Sequence, residues 1–376
     1  MRQLSTYILS MIVMGSLAAC SDNGEAGGEI PSADPPIELR ATYPDTSIST
    51  KAEVGEAEAF KTTLFCVTRL DAITGVPDYT SLADRFSTPV SDVTTSWADA
   101  VFYEEWVERT ADVAVGGSIS WDASRKHHYP RMGANVYLVG VSPVAGDNSY
   151  DAAEGTVSYT LDGHMDLMYA GPLAGNKWDG NRFTGNTVAG VEANRSLNYA
   201  HLLTQLVFKA KKHDAGGLEV KVNKIIVKSI PTAVNVPLAT GEAVFSGSSE
   251  VILEPAGNAT VGASNVGPID LGCLYLPPTP DPGNVKITVE TSIGTFTDVS
   301  VKMGDEISED NFKPGFSHVI TLDIYDASLG ISSVEVAEWT PSYVDGNLDL
   351  IHRLTKRIEQ LIERIKKSNH EKTDKL

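Results

Sequence analysis

The feature that most constrains this chain is a succession of short apolar segments, each closed by a cluster of Gly, Pro, Asn, Asp or Ser. Phe60–Leu70 reads as a buried strand, and Val101–Val107, Ser118–Trp121, Asn135–Val141 and Asp166–Ala170 follow as further strand candidates. A second series runs through 201–210, 218–230, 250–254, 271–276, 285–291, 295–302, 317–325 and 331–339. Many short strands with regular turn signals predict β-sandwiches. No alternation of helix and strand supports a parallel α/β fold. Residues 79–86 are expected to form a short helix, and Gly171–Asn186, rich in Gly and Asn, a loop. The expected fold is all-β, with tandem sandwiches over 52–195 and 196–350.

The two ends read differently from this body. Residues 1–19 hold one basic residue, Arg2, and an apolar core from Tyr7 to Leu17 that is too short to span a bilayer comfortably. It closes on Leu17-Ala18-Ala19-Cys20, where small residues precede a cysteine. That pattern predicts a removed lipoprotein signal, with an ordinary secretory signal and an incidental cysteine as the alternative. Acyl chains on Cys20 would anchor the mature chain to a membrane, since several chains hold where one is marginal. Residues 20–36 read as a polar tether. In 37–51, Ile37-Glu38-Leu39-Arg40-Ala41-Thr42-Tyr43 alternates as a strand does, and Pro44-Asp45-Thr46-Ser47 turns it into an open loop containing Lys51. At the other end Ile351, Leu354, Ile358, Leu361 and Ile365 recur at three- and four-residue steps, which predicts a basic amphipathic helix over 351–376.

Charge separates that tail from the rest. The 376 residues carry −19, and the tail, with eight Lys/Arg against four Asp/Glu, carries +4, hence −23 elsewhere. So acidic a body makes nucleic acid an unlikely class of partner. Of the three cysteines, Cys66 and Cys273 remain after lipidation of Cys20. They are expected as two free thiols in strands, with a disulfide as the alternative in an oxidising compartment.

No spacing carries chemistry. There is no Walker loop and no GxSxG, and no Cys/His arrangement suggests zinc. His127-His128 is expected in a surface turn before Tyr129-Pro130. His164 and Asp166 lie two apart, a spacing open to metal ligation but more simply a solvated pair at a loop edge. His201 opens an apolar strand and is expected to be packed or hydrogen-bonded. Trp97, Trp106, Trp121 and Trp178 are candidates for a sugar-binding cleft, or simply isolated core and surface residues. Catalytic residues, metal and cofactor are all expected to be absent.

Several stretches together resemble the fimbrillin family, the type V pilins of Bacteroides-like bacteria. They are the Cys20 motif, Ile37–Ala52, Tyr129-Pro130-x-x-Gly133 with the strand ending at Ser142-Pro143, Asp166–Ala170, His201–Phe208, and Val334-x-Val336-Ala337-Glu338-Trp339. The resemblance implies a transthyretin-like pilin architecture and a non-enzymatic surface role in adhesion. It implies export as a lipoprotein to the outer membrane and cleavage behind the first strand. Lys51 before Ala52 matches the cleavage position best, with Arg40 before Ala41 second. Removal of that strand would open a groove for a strand of a neighbouring subunit, the donor here being Trp339–Leu350 with Trp339, Val344, Leu348 and Leu350. The implied partners are other pilin subunits, the outer membrane and host or bacterial surface ligands. Residues 351–376 exceed the family pattern, as a partner-binding extension or a segment foreign to the gene. A non-polymerising surface lipoprotein that binds glycan or host protein is the alternative reading.

Overall fold

The computed structural model describes residues 35–44, 59–80, 82–87, 105–123, 126–130, 132–178, 181–183, 196–213, 219–256, 259–262, 267–279, 285–301, 312–325, 328–338 and 341–342. Strands dominate these residues, and the expected all-β class holds. A single short helix, Ala83–Ser87, stands where 79–86 predicted one. No helix among the described residues is long and apolar enough to cross a membrane. Residues 351–376, with the expected tail helix, lie outside them.

The first region is built on a six-stranded sheet. Its order is Ala200–His201, Met168–Gly175, Val136–Ser142, Phe60–Val67, Trp106–Val113 and Ile119–Ser120. Successive side chains of a strand point to opposite faces, so a strand covered on both sides must be apolar throughout. Phe60–Val67 shows this: Leu64 and Cys66 enter one core, Phe65 and Val67 the other, and all four are fully buried. Val136–Ser142 behaves alike, with Val136 and Leu138 on one side and Val139 and Val141 on the other.

The second of these cores is closed by a four-stranded sheet ordered Val244–Ser246, Ala233–Pro237, Thr156–Thr160 and Tyr150–Asp151. Its side chains Val157, Tyr159, Val234 and Val236 meet Phe65, Val139 and Val141. The helix adds Phe86, whose ring stacks on Phe65 at 6.0 Å. Ala233–Pro237 pairs antiparallel with Thr156–Thr160, so this sheet joins residues from either side of position 195.

The stretch expected as loop from Gly171 is strand as far as Gly175. Gly175, Ala174 and Leu173 pair with Val136, Tyr137 and Leu138, and this ladder overrides the weak local strand preference of Gly and Pro.

The second region is one sandwich with one core. One sheet runs Ile269–Leu276, Thr204–Lys212, Phe316–Ile324, Leu329–Glu338; the facing sheet runs Ser249–Leu253, Val220–Ile230, Lys286–Thr291, Gly294–Ser300. Leu206, Phe208 and Ala210 with Ile320, Leu322 and Ile324 meet Val220, Val222, Ile225, Ile287 and Val289. Alternation, absent from Phe60–Val67 and Val136–Ser142, returns here between two bulges: Val220–Ile230 buries Val220, Val222, Ile225, Val227 and Ile230 and turns Lys221, Lys224 and Lys228 outward.

Candidate functional site: a groove filled by the N-terminal strand

The first core of the central sheet is closed by the chain's own beginning. Ile37, Leu39 and Ala41 alternate with Glu38 and Arg40 and are buried against Leu64, Cys66, Trp106, Val113 and Leu138. Burying Ile37 and Leu39 contributes about 1.5–3 kcal/mol each. The backbone is held along both edges. On one side the Ile37 and Ala41 N–H groups donate to the His127 and Gly117 carbonyls, each at 2.7 Å, while Ile119 and Tyr129 donate to the Leu39 and Pro35 carbonyls at 3.2 and 3.5 Å. On the other side Leu197 and Tyr199 donate to the Arg40 and Thr42 carbonyls, both at 2.8 Å. The strand Ala41–Pro44 thus runs parallel to Leu197–Asn198 and antiparallel to Pro341–Ser342.

Each wall is fixed for a local reason. Gly117 has φ +76°, and a Cβ there would lie 2.5 Å from the Ala41 carbonyl oxygen, so the turn admits the strand only as glycine. Tyr199 is wall and core at once: its ring meets Phe60 edge-on at 5.1 Å and its hydroxyl lies 2.8 Å from the Thr62 hydroxyl. His127 supplies a carbonyl to the strand and its ring to the floor. The ring stacks on Trp106 at 3.8 Å and 7°, and Nε2 lies 2.7 Å from Oε1 of Glu108. The expectation of a surface turn at His127-His128 is therefore corrected for His127, which is buried. The carboxylate missing from its neighbourhood in sequence comes from the adjacent strand.

Arg40 lies inside the paired stretch, with its carbonyl accepting from Leu197 and its guanidinium donating to the Gly116 carbonyl at 2.8 Å. Cys20, Lys51, Ala52, Trp97, Trp339, Val344, Leu348 and Leu350 lie outside the described residues. Trp106 and Trp121 are not isolated: their rings are 6.1 Å apart and flank His127.

The other expected residues form no reaction centre. His164 is exposed and its Nε2 meets the Ile252 carbonyl at 3.1 Å. Asp166 turns instead to His201, Oδ1 to Nδ1 at 2.7 Å, so His201 is packed and hydrogen-bonded as expected. Among the described residues, no three His, Cys, Asp or Glu side chains converge as a metal would require. Cys66 and Cys273 are free, Cys66 fully buried and Cys273 only partly, and burial pushes both thiols up, Cys66 strongly. A thiol so shifted stays protonated and is a poor nucleophile.

The comparisons agree with this architecture. A sequence profile described as fimbrillin-like matches residues 91–339. No curated protein sequence matches the chain. Among solved structures, a candidate cell adhesion protein of Bacteroides ovatus aligns with a TM-score of 0.51 at 17% identity, covering 82% of this chain and 99% of its own. A fimbrial protein of Bacteroides vulgatus aligns at 0.45 and 13%, covering 81% and 99%. The C-terminally truncated tip fimbrial protein Mfa3 of Porphyromonas gingivalis aligns at 0.39 and 9%, covering 81% and 100%. At such identities the first of these shows a shared fold.

Proposed function

The chain belongs to the fimbrillin-like family, and from that premise we propose that it is a pilus subunit of the cell surface, assembled by exchange of its N-terminal strand and serving adhesion. The observation that carries this reading is the segment Ile37–Pro44, strand from Ala41 to Pro44, which is hydrogen-bonded along both edges and precedes Lys51 in the sequence. Its removal would strip partners from the Ile119, Tyr129, Leu197 and Tyr199 N–H groups and from the His127 and Gly117 carbonyls. It would also uncover the apolar floor beneath Ile37 and Leu39. Unpaired backbone beside an apolar trough is a template for a foreign strand, with ladder hydrogen bonds giving affinity and alternate side chains giving register.

In this reading, residues 1–19 direct export, Cys20 carries the lipid that holds the precursor at the outer membrane, and 20–36 are its tether. Cleavage between Lys51 and Ala52 frees the strand, with Arg40–Ala41 the second choice. Arg40 is the poorer substrate because a protease must first pull its backbone from the groove. The donor is Trp339–Leu350 of a neighbouring subunit, with Trp339, Val344, Leu348 and Leu350 as the buried set. Pro341–Ser342 beside Ala41–Pro44 supports it, because the chain enters the donor segment next to the groove. Filling a groove with an unlike element of the next copy is head-to-tail and builds a filament.

The test is to treat the full chain with a lysine-specific protease and read the new N-terminus and the oligomeric state. The expected result is a chain beginning at Ala52 that forms ladders resistant to mild denaturant, and Lys51→Gln should abolish both. A cleaved chain that stays monomeric would sink the strand-exchange reading.

A further inference from the structure

We infer that one end of the first region is a membrane-contact surface whose loop tips enter a lipid interface; this rests on the proposed anchor at Cys20 and adds an orientation to it. Strand register identifies the end. Cys66 pairs with Trp106 and Val67 with Tyr137, so Trp106, Val136 and the Leu70–Pro77 turn lie at one end of the central sheet. Val136 pairs with Gly175, and Met132 and Trp178, a few residues beyond these strand ends, belong to the same end. The N-terminal segment enters there too. Pro35 accepts from the Tyr129 N–H, and Ile37 donates to the carbonyl of His127, whose ring lies on Trp106. From there the segment runs to Ala41, against Gly117 in the turn after Val113, at the opposite end.

Nine large apolar side chains are exposed among the described residues, and five of them stand at this end: Leu70, Ile73, Val76, Met132 and Trp178. Ile73, 94% exposed, tips a turn that is firmly tied. The Asp71 N–H donates to the Val76 carbonyl at 2.8 Å, and Gly75 donates to the Asp71 carbonyl at 2.9 Å. Asp71 Oδ1 accepts the Ile73 and Thr74 N–H groups at 3.1 and 2.7 Å and the Thr74 hydroxyl at 2.7 Å. Asp78 Oδ1 accepts the Thr80 hydroxyl at 2.6 Å, and Arg69 Nε donates to Glu105 Oε1 at 3.0 Å. These carboxylates are hydrogen-bonded within the chain and outnumber the one arginine, so the tip suits zwitterionic rather than anionic lipid. Aliphatic tips and a tryptophan on separate turns fit the headgroup boundary, where apolar side chains dip in and indole rings settle. A protein partner of the usual kind meets a continuous apolar patch instead. A few such side chains hold a free protein weakly. With lipid on Cys20, residues 20–34 keep Pro35 within about 50 Å of the anchor. Tethering then makes the contact intramolecular, and tips and tether entry at one end can engage together.

The experiment uses the chain from Cys20 onward, which keeps every described residue, in the Cys273→Ser background. It is coupled through the Cys20 thiol to a maleimide lipid in phosphatidylcholine vesicles, whose acyl chains carry bromine to quench tryptophans that enter the membrane. Ile73→Trp should add emission that the brominated lipid quenches. Val115→Trp, at an exposed site of the opposite end, should add emission that the lipid leaves untouched. Ile73→Asp should reduce the quenching of Trp178, read by difference against Trp178→Phe. If neither added tryptophan is quenched, or both are quenched alike, the inference is overturned. Quenching at 73 that appears only when chains crowd the vesicle would also overturn it, since the tips would then meet another copy. Because the anchor is supplied chemically, failure of this surface is distinct from failure of the lipoprotein reading, which the mass of Cys20 in protein taken from cell membranes tests by itself.

Discussion

The two regions bury comparable strands in different ways. In the second, each sheet has an inner face, one core lies between them, and among the described residues it is built from strands of that region. In the first, the central sheet is inner on both faces, and part of one cover is Ile37, Leu39 and Ala41 of the N-terminal segment. In the proposed reading that stretch is detachable, and this core could then be opened without dismantling the fold around it. Among the described residues the second core holds no such element.

The sharpest way to break this comparison is Leu39→Asp. A carboxylate forced into the first core should cost about 4 kcal/mol or more. Hydrogen exchange should show lost protection in Phe60–Val67 and Val136–Ser142, with Phe316–Ile324 unchanged. Equal losses in both regions would mean that they unfold as one unit. Leu322→Ala should give the reverse pattern at about 2–5 kcal/mol, the usual cost of a leucine-sized void.

The buried histidines sharpen the contrast. His127 has Glu108 and His201 has Asp166, both in or beside the first region. His318, in the second core 4.5 Å from the Phe312 ring, has both ring nitrogens buried with no hydrogen-bond partner. Desolvation pushes it down to about 4 from its ordinary value of 6.5. The unfolded chain then binds more protons than the folded one between these two values. The second region should therefore hold its full stability above pH 6.5 and lose up to about 3 kcal/mol as pH falls toward 4. Urea midpoints of the wild type and His318→Phe should converge at neutral pH apart from packing, and diverge in acid; parallel curves would refute the assignment.

Smaller effects probe the seat of the N-terminal strand. Gly117→Ala should cost about 1–3 kcal/mol through the left-handed φ and the Ala41 carbonyl, and should quicken trypsin cleavage at Arg40. Lys61→Ala removes an ion pair with Asp112 in which both side chains are 61% exposed, and urea titration should register less than about 1 kcal/mol.

Much of this was legible in the sequence where burial is continuous or alternation regular. Phe60–Val67, Val136–Ser142 and Val220–Ile230 announce themselves, as does the alternation over Ile37–Tyr43, of which Ala41–Pro44 is regular strand. The cover sheet did not. Thr156–Thr160 and Ala233–Pro237 are short, and each becomes a strand by pairing with a partner far along the chain. The groove was half legible for the same reason. Its filling strand alternates, but its walls are a glycine turn, the two-residue strand Leu197–Asn198 and a histidine whose carboxylate partner lies 19 residues upstream. None of these leaves a local pattern. Nor does the sequence show that Trp178, 56% exposed, lies against Gly133, where a Cβ would come within 2.6 Å of the indole nitrogen.

Cys66 gives the closed groove a chemical clock. Its thiol is sealed beneath the layer that Ile37 and Leu39 complete and is held protonated by burial. An alkylating reagent therefore meets it only when that layer lifts. The labelling rate of one native atom counts openings of the groove, with no probe added to the chain. Under the proposed exchange, a subunit holding a neighbour's strand should fall silent again, so the same sulfur would distinguish a closed groove, an emptied one and a refilled one.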